Sequence, residues 1–286
     1  MLFSDSIKKF RDYLEHLDYS PSTIERYIRD LHKFNRWVEA QLNGQVYLED
    51  VTDEYIENFI TELKVEDYAP TSRSRYFYTF RSFYKFASKK GLVDRNIALT
   101  LEQGKLPVKE RDYLTQEEIT ILIDAIDHRL IALVVKFLAY TGLRISECLN
   151  LKVDDIDFNN NFIRVREGKG RKDRSIPIHE DIQPLLKEYI DDWRDAYGSD
   201  YLFATKRTGS LSNNYVNAVI RKATKKLGWN KRISCHMLRH SFASNLVKKK
   251  VGLVEIQKLL GHSSLKTTSV YTHVDNEQLF DAVNSL

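Results

Sequence analysis

Helical spacing of apolar side chains dominates this sequence of 286 residues. The first series, from Ile7 to Leu17, advances in steps of three and four residues, as one face of an amphipathic helix requires. The same spacing predicts two helices within residues 5–38 and one each over residues 53–64 and 71–89. Ser20 and Pro21 stand between the first two helices as a start signal for the second. The first hundred residues are therefore predicted to be entirely helical.

The helical spacing is interrupted twice further along the chain. Residues 96–114 have no regular spacing and contain a Gly and a Pro, which predicts a linker. Helices then run on to Leu149, after which residues 162–178 alternate in two short segments around a charged turn, which predicts a β-hairpin. From Ile182 onward the pattern is helical again. The predicted fold class is mainly α with a small β-sheet.

The interruptions also predict how the chain divides into domains. We expect a helical domain over residues 1–100, a linker over residues 101–112 and a second domain over residues 113–286. The last stretch, residues 275–286, is predicted to be a short helix with an apolar stripe, which is stable only if it docks on another surface.

Composition argues against membrane and disulfide-stabilised classes. The longest apolar run, from Leu130 to Tyr140, is interrupted by Lys136 and is shorter than the roughly 20 residues of a membrane span. Cys148 and Cys235 lie within apolar helical patterns, which is typical of buried thiols in a reducing compartment. The N-terminus lacks the apolar core of a signal peptide. We therefore expect a cytoplasmic protein with no membrane partner.

The distribution of charge is more informative than its sum. The net charge is only +4, yet no Asp or Glu occurs from Tyr201 through Val254, where twelve Lys and Arg occur. A solvated face would mix the two signs. The segregation indicates a phosphate-rich partner, because cations bind such a partner by neutralising its charges.

Four short segments in the second domain concentrate unusual polar groups. They are Thr141–Glu147 (TGLRISE), Gly168–Arg174 (GKGRKDR), His236–His240 (HMLRH), and Gly261-His262 followed nine positions later by Tyr271.

These segments do not match a zinc site or a nucleotide-binding loop. Two histidines four apart invite a zinc site, but Met237 stands where the metalloprotease helix needs a glutamate. The Gly168–Arg174 segment lacks the spacing of a phosphate-binding P-loop. We therefore expect neither a metal nor a nucleotide cofactor. His236 and Arg239 are three residues apart on one predicted helix face, where both can donate hydrogen bonds to a single anionic group.

Taken in this order, the four segments resemble the tyrosine site-specific recombinase and integrase family over nearly the whole chain. The family pattern is an arginine in a TGxRxSE-like turn, a lysine on a hairpin, an H-x-x-R pair, a Gly-His and a C-terminal tyrosine. The matching residues are Arg144, Lys169, His236, Arg239, His262 and Tyr271. No segment similar to the arm-binding domain of lambda-type integrases precedes the helical part, so the sequence is most similar to the compact Xer-type members.

The resemblance implies both a fold and an activity. The fold would be a helical, SAM-like core-binding domain joined to an α+β catalytic domain. The activity would be site-specific recombination, in which DNA strands are cut and rejoined through a 3′-phosphotyrosyl intermediate and a Holliday junction. The partners would be double-stranded DNA with paired binding sites and a homo-tetramer, or a hetero-tetramer with a related recombinase. Dimer resolution and integration or excision both remain open as its task, and the target sequence is not predicted.

The chemistry of phosphoryl transfer suits the matched residues. Fixed cations stabilise the extra negative charge on the non-bridging oxygens, and Arg144 and Arg239 would bind these oxygens in part bidentately. Lys169 is the expected general acid for the leaving 5′ oxygen, and Tyr271 is the expected nucleophile. His236 and His262 are also predicted to be catalytic, because they can donate to the same oxygens and either could take the proton of the tyrosine. Glu147 is predicted to support them by orienting the cationic groups.

A second set of cations is predicted to contact the DNA backbone. These residues are Arg73, Arg75 and Arg81 on the fourth helix and Arg171, Lys172 and Arg174 on the hairpin. Two other functions remain open from the sequence alone. A type IB topoisomerase uses the same chemistry without a defined site, and a catalytically idle regulator would only bind DNA.

Overall fold

A computed structural model describes residues 1–104, 112–166, 173–194 and 198–261 of the chain. Several predictions concern other residues and so lie outside the described part. They are the roles of Lys169, Arg171, Lys172, His262 and Tyr271, the predicted terminal helix over residues 275–286, and the middle of the predicted linker. The chain divides into two compact units, Met1–Glu110 and Arg111–Leu286.

The first unit is helical throughout its regular structure, as the sequence predicts. It contains α1 (Phe3–His16), α2 (Pro21–Leu42), α3 (Asp53–Val65) and α4 (Pro70–Lys89). Short 3₁₀ turns follow α2 and α4. Ser20 caps α2, because its hydroxyl accepts a hydrogen bond from the backbone N–H of Thr23 at 3.3 Å.

Aromatic rings form the core of this unit. Phe34 lies at its centre and packs edge-on against Phe59 and Phe80, with ring centroids 5.2 and 4.8 Å away. Four aromatic side chains that follow one another at helical spacing along α4 are all buried. They are Tyr76, Phe80, Phe83 and Phe86. Helical spacing alone therefore identified the buried face of α4.

The second unit is α-helical with one small sheet. Its helices are α5 (Gln116–Asp124), α6 (Arg129–Thr141), α7 (Ile145–Asn150), α8 (Gln183–Glu188), α9 (Asn213–Lys226), α10 (Cys235–Lys248) and α11 (Leu253–Leu260). The sheet contains β1 (Ile156–Asp157), β2 (Phe162–Val165) and β3 (Arg174–Pro177) in that order, all antiparallel. Ile163 pairs with Ile176, and both are buried in the same core as α6. The predicted hairpin and the predicted fold class are confirmed.

The prediction of helix from Ile182 onward is wrong between α8 and α9. Residues 198–212 form no helix, and residues 200–202 pair instead with the segment after α7. The N–H of Leu202 donates to the carbonyl of Leu151 at 2.7 Å, and the N–H of Val153 donates to the carbonyl of Asp200 at 3.0 Å. These bonds join parts of the chain about fifty residues apart, so local spacing could not reveal them.

Candidate active site

The glycine turn that ends α6 brings it against α10. Gly142 has a φ of 62°, in the left-handed region. A Cβ at this position would come within 2.3 Å of the ring of Phe242 on α10, a distance that no side chain tolerates. The Gly142 carbonyl in turn accepts a hydrogen bond from Nη1 of Arg239 at 2.8 Å. The turn therefore needs glycine both for its backbone conformation and for this close approach.

Arg144 and Glu147 are fixed to each other at the start of α7. The backbone N–H of Arg144, at the N-cap of α7, donates to Oε2 of Glu147 at 2.9 Å, which is one of the two hydrogen bonds of a capping box. The guanidinium of Arg144 donates through Nη1 to Oε1 of the same carboxylate at 2.5 Å. One carboxylate thus orients both the backbone and the side chain of the predicted phosphate-binding arginine.

Arg239 reaches the same carboxylate from α10. Its side chain is only 4% exposed, and its Nη1 lies 3.8 Å from Oε2 of Glu147. Its Nη2 donates to the carbonyl of Leu260 at 2.7 Å, in the last turn of α11. The structure therefore brings the two predicted phosphate-binding arginines, Arg144 and Arg239, to a single point.

A third arginine completes this group, and the sequence suggested a different role for it. Arg174, predicted as a DNA contact, begins β3, and its side chain is 9% exposed. Its Nη2 donates to Oε2 of Glu147 at 2.8 Å, and its Nε donates to the carbonyl of Leu259 at 3.1 Å. No signal in the sequence separates Arg174 from its charged neighbours, since its burial depends on residues far away along the chain.

Charge makes this cluster suited to an anion. Burial by itself would raise the pKa of Glu147, but hydrogen bonds from Arg174 and from the backbone N–H of Arg144 hold that pKa below its ordinary value. The carboxylate therefore stays ionised and neutralises one of the three guanidiniums. Among the described residues, three guanidiniums, those of Arg144, Arg174 and Arg239, thus surround one carboxylate, which favours binding of a phosphate group.

His236 lies in the first turn of α10, one turn before Arg239. Its side chain is exposed, whereas Arg239 is buried. Ser234 caps the helix through the N–H of Met237 at 3.4 Å, which fixes the position of this turn. Gly261, with a φ of 65°, ends α11 immediately before His262.

The arginines predicted to contact DNA from α4 make contacts within the first unit. Arg75 donates two hydrogen bonds of 2.9 Å to Asp30, which is buried. Arg81 donates to the carbonyls of Ala98 and Leu99 at 3.3 and 3.4 Å. Arg73 lines a cavity of about 110 Å³. DNA contact by these three residues stays a prediction, and for Arg75 a structural role in holding Asp30 is now visible.

Two findings, on metal sites and on membrane spans, apply to the described ranges alone. No group of three His, Cys, Asp or Glu among those residues could hold a metal ion. No helix in the same ranges is long and apolar enough to cross a membrane. Cys148 and Cys235 are free and buried, and burial raises the pKa of the Cys235 thiol to about 11.

Comparison with known proteins gives one consistent result. The sequence pattern of the phage integrase family matches residues 112–278, and that of the phage integrase N-terminal SAM-like domain matches residues 7–91. A tyrosine recombinase of Thermosipho africanus is 33% identical, over 98% of this chain and 99% of its own. The tyrosine recombinase XerC of Oceanobacillus iheyensis is 32% identical, over 96% and 93% of the two chains.

Solved structures agree with the sequence relatives. The crystal structure of XerA recombinase is 30% identical, with a TM-score of 0.55 over 99% of this chain and 98% of its own. XerH recombinase bound to its difH substrate before cleavage is 25% identical, with a TM-score of 0.75 over 98% and 84% of the two chains. A lambda integrase dimer bound to a core site is 21% identical with a TM-score of 0.77, which supports the fold alone.

Proposed function

Since the chain belongs to the phage integrase family of tyrosine recombinases, which cleave and rejoin DNA strands in site-specific recombination, we propose that Arg144 and Arg239 bind the scissile phosphate. The observation that carries this proposal is the cluster around Glu147, where both arginines meet beside a third, Arg174. Charge that develops on the non-bridging oxygens during transfer is stabilised by donors already fixed in place. Their fixation by Glu147 supplies that preorganisation.

The proposed reaction balances without a cofactor. The phenolic oxygen of Tyr271 forms a bond to phosphorus as the bond from phosphorus to the 5′ oxygen breaks. Lys169 gives a proton to the leaving 5′ oxygen, and His236 or His262 accepts the proton of the tyrosine. The covalent 3′-phosphotyrosyl link keeps the energy of the broken bond, so rejoining requires no ATP.

The two units would divide the work. We propose that residues 1–100 form the core DNA-binding domain and residues 113–286 the catalytic domain, joined by a linker over residues 101–112. XerH and lambda integrase were solved on DNA, and one lambda integrase structure is a tetramer on a Holliday junction, which supports tetramer assembly on paired sites here. Because the substrate is DNA and both cysteines are free thiols, we propose that the protein works in the cytoplasm.

The function is tested with DNA selected by binding from a random pool. A duplex of the selected sequence, nicked near the cleavage point so that the short product diffuses away, should trap a covalent protein–DNA adduct on a denaturing gel. An idle DNA-binding regulator would bind the same duplex and form no adduct. Relaxation of any supercoiled plasmid, irrespective of the selected site, would instead identify a topoisomerase.

Arg144→Lys tests the proposed phosphate contact. The lysine keeps the positive charge but cannot present two parallel donors to a phosphate, so single-turnover cleavage should slow by about 10²–10³-fold. The apparent Kd for DNA should change little, because most of the affinity comes from other phosphate contacts. Cleavage at the wild-type rate by Arg144→Lys would contradict the assignment.

The acid-free stretch predicts a strong dependence of DNA binding on salt. Each neutralised phosphate adds about 0.9 to the slope of log affinity against log salt concentration, and we expect a slope of about 6 or more. Binding isotherms between low and moderate salt measure it directly. A slope near 1, on the order of a single phosphate contact, would leave the twelve cations of residues 201–254 without a function.

A further inference from the structure

We propose that Arg174 is a positioning residue, which holds the Glu147 carboxylate and through it the Arg144 guanidinium, and that it does not bind a DNA phosphate. The inference rests on the proposed function, since it assigns Arg174 a part in that same site. It differs from the prediction made from sequence, in which Arg174 was one of several basic residues on the hairpin that contact the DNA backbone.

The guanidinium of Arg174 is directed into the protein. Its Nη2 lies 2.8 Å from Oε2 of Glu147 and its Nη1 lies 3.4 Å from Oε1, so the two terminal nitrogens pair with the two carboxylate oxygens. Its Nε donates to the carbonyl of Leu259 on a different element. All three guanidinium nitrogens are thus used, and only 9% of the side chain is exposed. A side chain held in this way has little surface left to offer a DNA backbone.

The pairing of Arg174 with Glu147 also affects Arg144, because the same carboxylate binds both arginines. The same two oxygens accept from the backbone N–H and from Nη1 of Arg144, at 2.9 and 2.5 Å. The Arg144 side chain is 32% exposed, and its hydrogen bond to this carboxylate helps to set its orientation. Arg174 adds a second pair of hydrogen bonds to the same two oxygens. Its loss would remove that pair and so loosen the position of Glu147 and of the Arg144 guanidinium that Glu147 orients.

A second set of bonds connects Arg174 to the end of α11. The last carbonyls of a helix have no partner within the helix, and here two consecutive ones are satisfied by arginines. Arg174 binds the carbonyl of Leu259 and Arg239 binds that of Leu260. Arg174 therefore joins three elements, β3, α7 and α11, at the point where α11 ends and the chain continues to His262.

Arginine is required for this arrangement. Its planar fork spans a carboxylate and a backbone carbonyl at once, whereas a lysine ammonium is a single compact charge on a flexible stem. Arg174→Lys keeps the charge and loses the fork. Arg174→Met keeps much of the apolar stem and loses the charge. The two variants therefore separate positioning from phosphate binding.

The first measurement is single-turnover cleavage of the nicked duplex at saturating protein, beside DNA affinity as a function of salt. For Arg174→Lys we expect cleavage slowed by about 10–10²-fold with affinity within about twofold of wild type, because displacement of a reacting group by about 1 Å has an effect of this size. For Arg174→Met we expect an unchanged salt slope. A wild-type rate for Arg174→Lys would show that the arginine fork is not needed, and a slope reduced by about 0.9 for Arg174→Met would show a phosphate contact. Either result would overturn the inference.

Arg164→Met is the matched control. Arg164 lies on β2 opposite Ser175, and its side chain is exposed. Removing this cation should leave the cleavage rate at the wild-type value. Thermal melts set the assay temperature below the melting transition of each variant. A defect in Arg164→Met equal to that in Arg174→Lys would show that the effect is not specific to Arg174, which would also overturn the inference.

A double-mutant cycle identifies the route. If Arg174 acts through Glu147, the combined Arg174→Lys and Glu147→Gln protein should cleave about as slowly as the slower single variant. Defects that multiply would mean that Arg174 acts independently of Glu147, against the inference. If the wild-type protein formed no adduct, the proposed function itself would fail. If the wild-type protein is active, the results with the variants test only the role of Arg174.

Discussion

Tyr271→Phe is expected to abolish the covalent protein–DNA adduct completely while leaving DNA affinity within about twofold of wild type. Only the attacking oxygen is removed, and a phenyl ring has no other atom that can displace the 5′ oxygen. Arg144 and Arg239, which we propose to bind the phosphate, are untouched, so the substrate should still be held. Denaturing gels of the nicked duplex measure the adduct, and band shifts under the same conditions measure binding.

Tyr215→Phe supplies the control for that experiment. Tyr215 lies on α9, is 44% exposed, and loses the same hydroxyl group in the variant. It should form the adduct at the wild-type yield. An adduct that persists in Tyr271→Phe would assign the nucleophile to another residue, and loss of the adduct in both variants would point to a general effect of removing a tyrosine hydroxyl.

Local sequence patterns predicted those parts of the fold that depend on local physics. Helices α1 to α4 follow from apolar spacing, and the cap of α2 follows from Ser20, because both depend on residues within one or two turns. The irregular stretch of residues 198–212 was missed because its hydrogen bonds go to residues near 151. The two-residue strand β1 was missed because two residues are too few to show alternation.

The candidate site likewise contains residues that the sequence predicts and residues whose role depends on distant parts of the chain. Arg144, Glu147 and Arg239 were predicted because the four segments together match the order and spacing of the family pattern, and the structure brings the three residues together. The sequence did not show why residue 142 must be glycine, because the close approach is to Phe242, a hundred residues later. Arg174 was predicted to contact the DNA backbone because its neighbours in the sequence are basic. Its hydrogen-bond partners in the structure, Glu147 and Leu259, lie 27 residues before it and 85 residues after it. Burial of a charged side chain is a tertiary property.

Lys169→Ala is expected to slow cleavage by roughly 10²–10⁴-fold, the range for one general acid or base. Lysine suits this role because an ammonium on a flexible stem can reach the leaving oxygen. The defect should depend on the leaving group. A 5′-bridging sulfur leaves without a proton, so the variant should cleave that substrate at close to the wild-type rate.

Lys172→Ala distinguishes acid catalysis from loss of a nearby cation. Lys172 lies three residues after Lys169 in the same basic segment and is predicted to contact the DNA backbone. Its removal should weaken binding and lower the salt slope by about 0.9, with the same small effect on cleavage of oxygen and sulfur substrates. If Lys169→Ala behaved in this way too, with equal defects on both substrates, Lys169 would be a phosphate contact. The proton for the 5′ oxygen would then have to come from a different group, for which His236, exposed in the first turn of α10, is the next candidate to test by the same comparison of leaving groups.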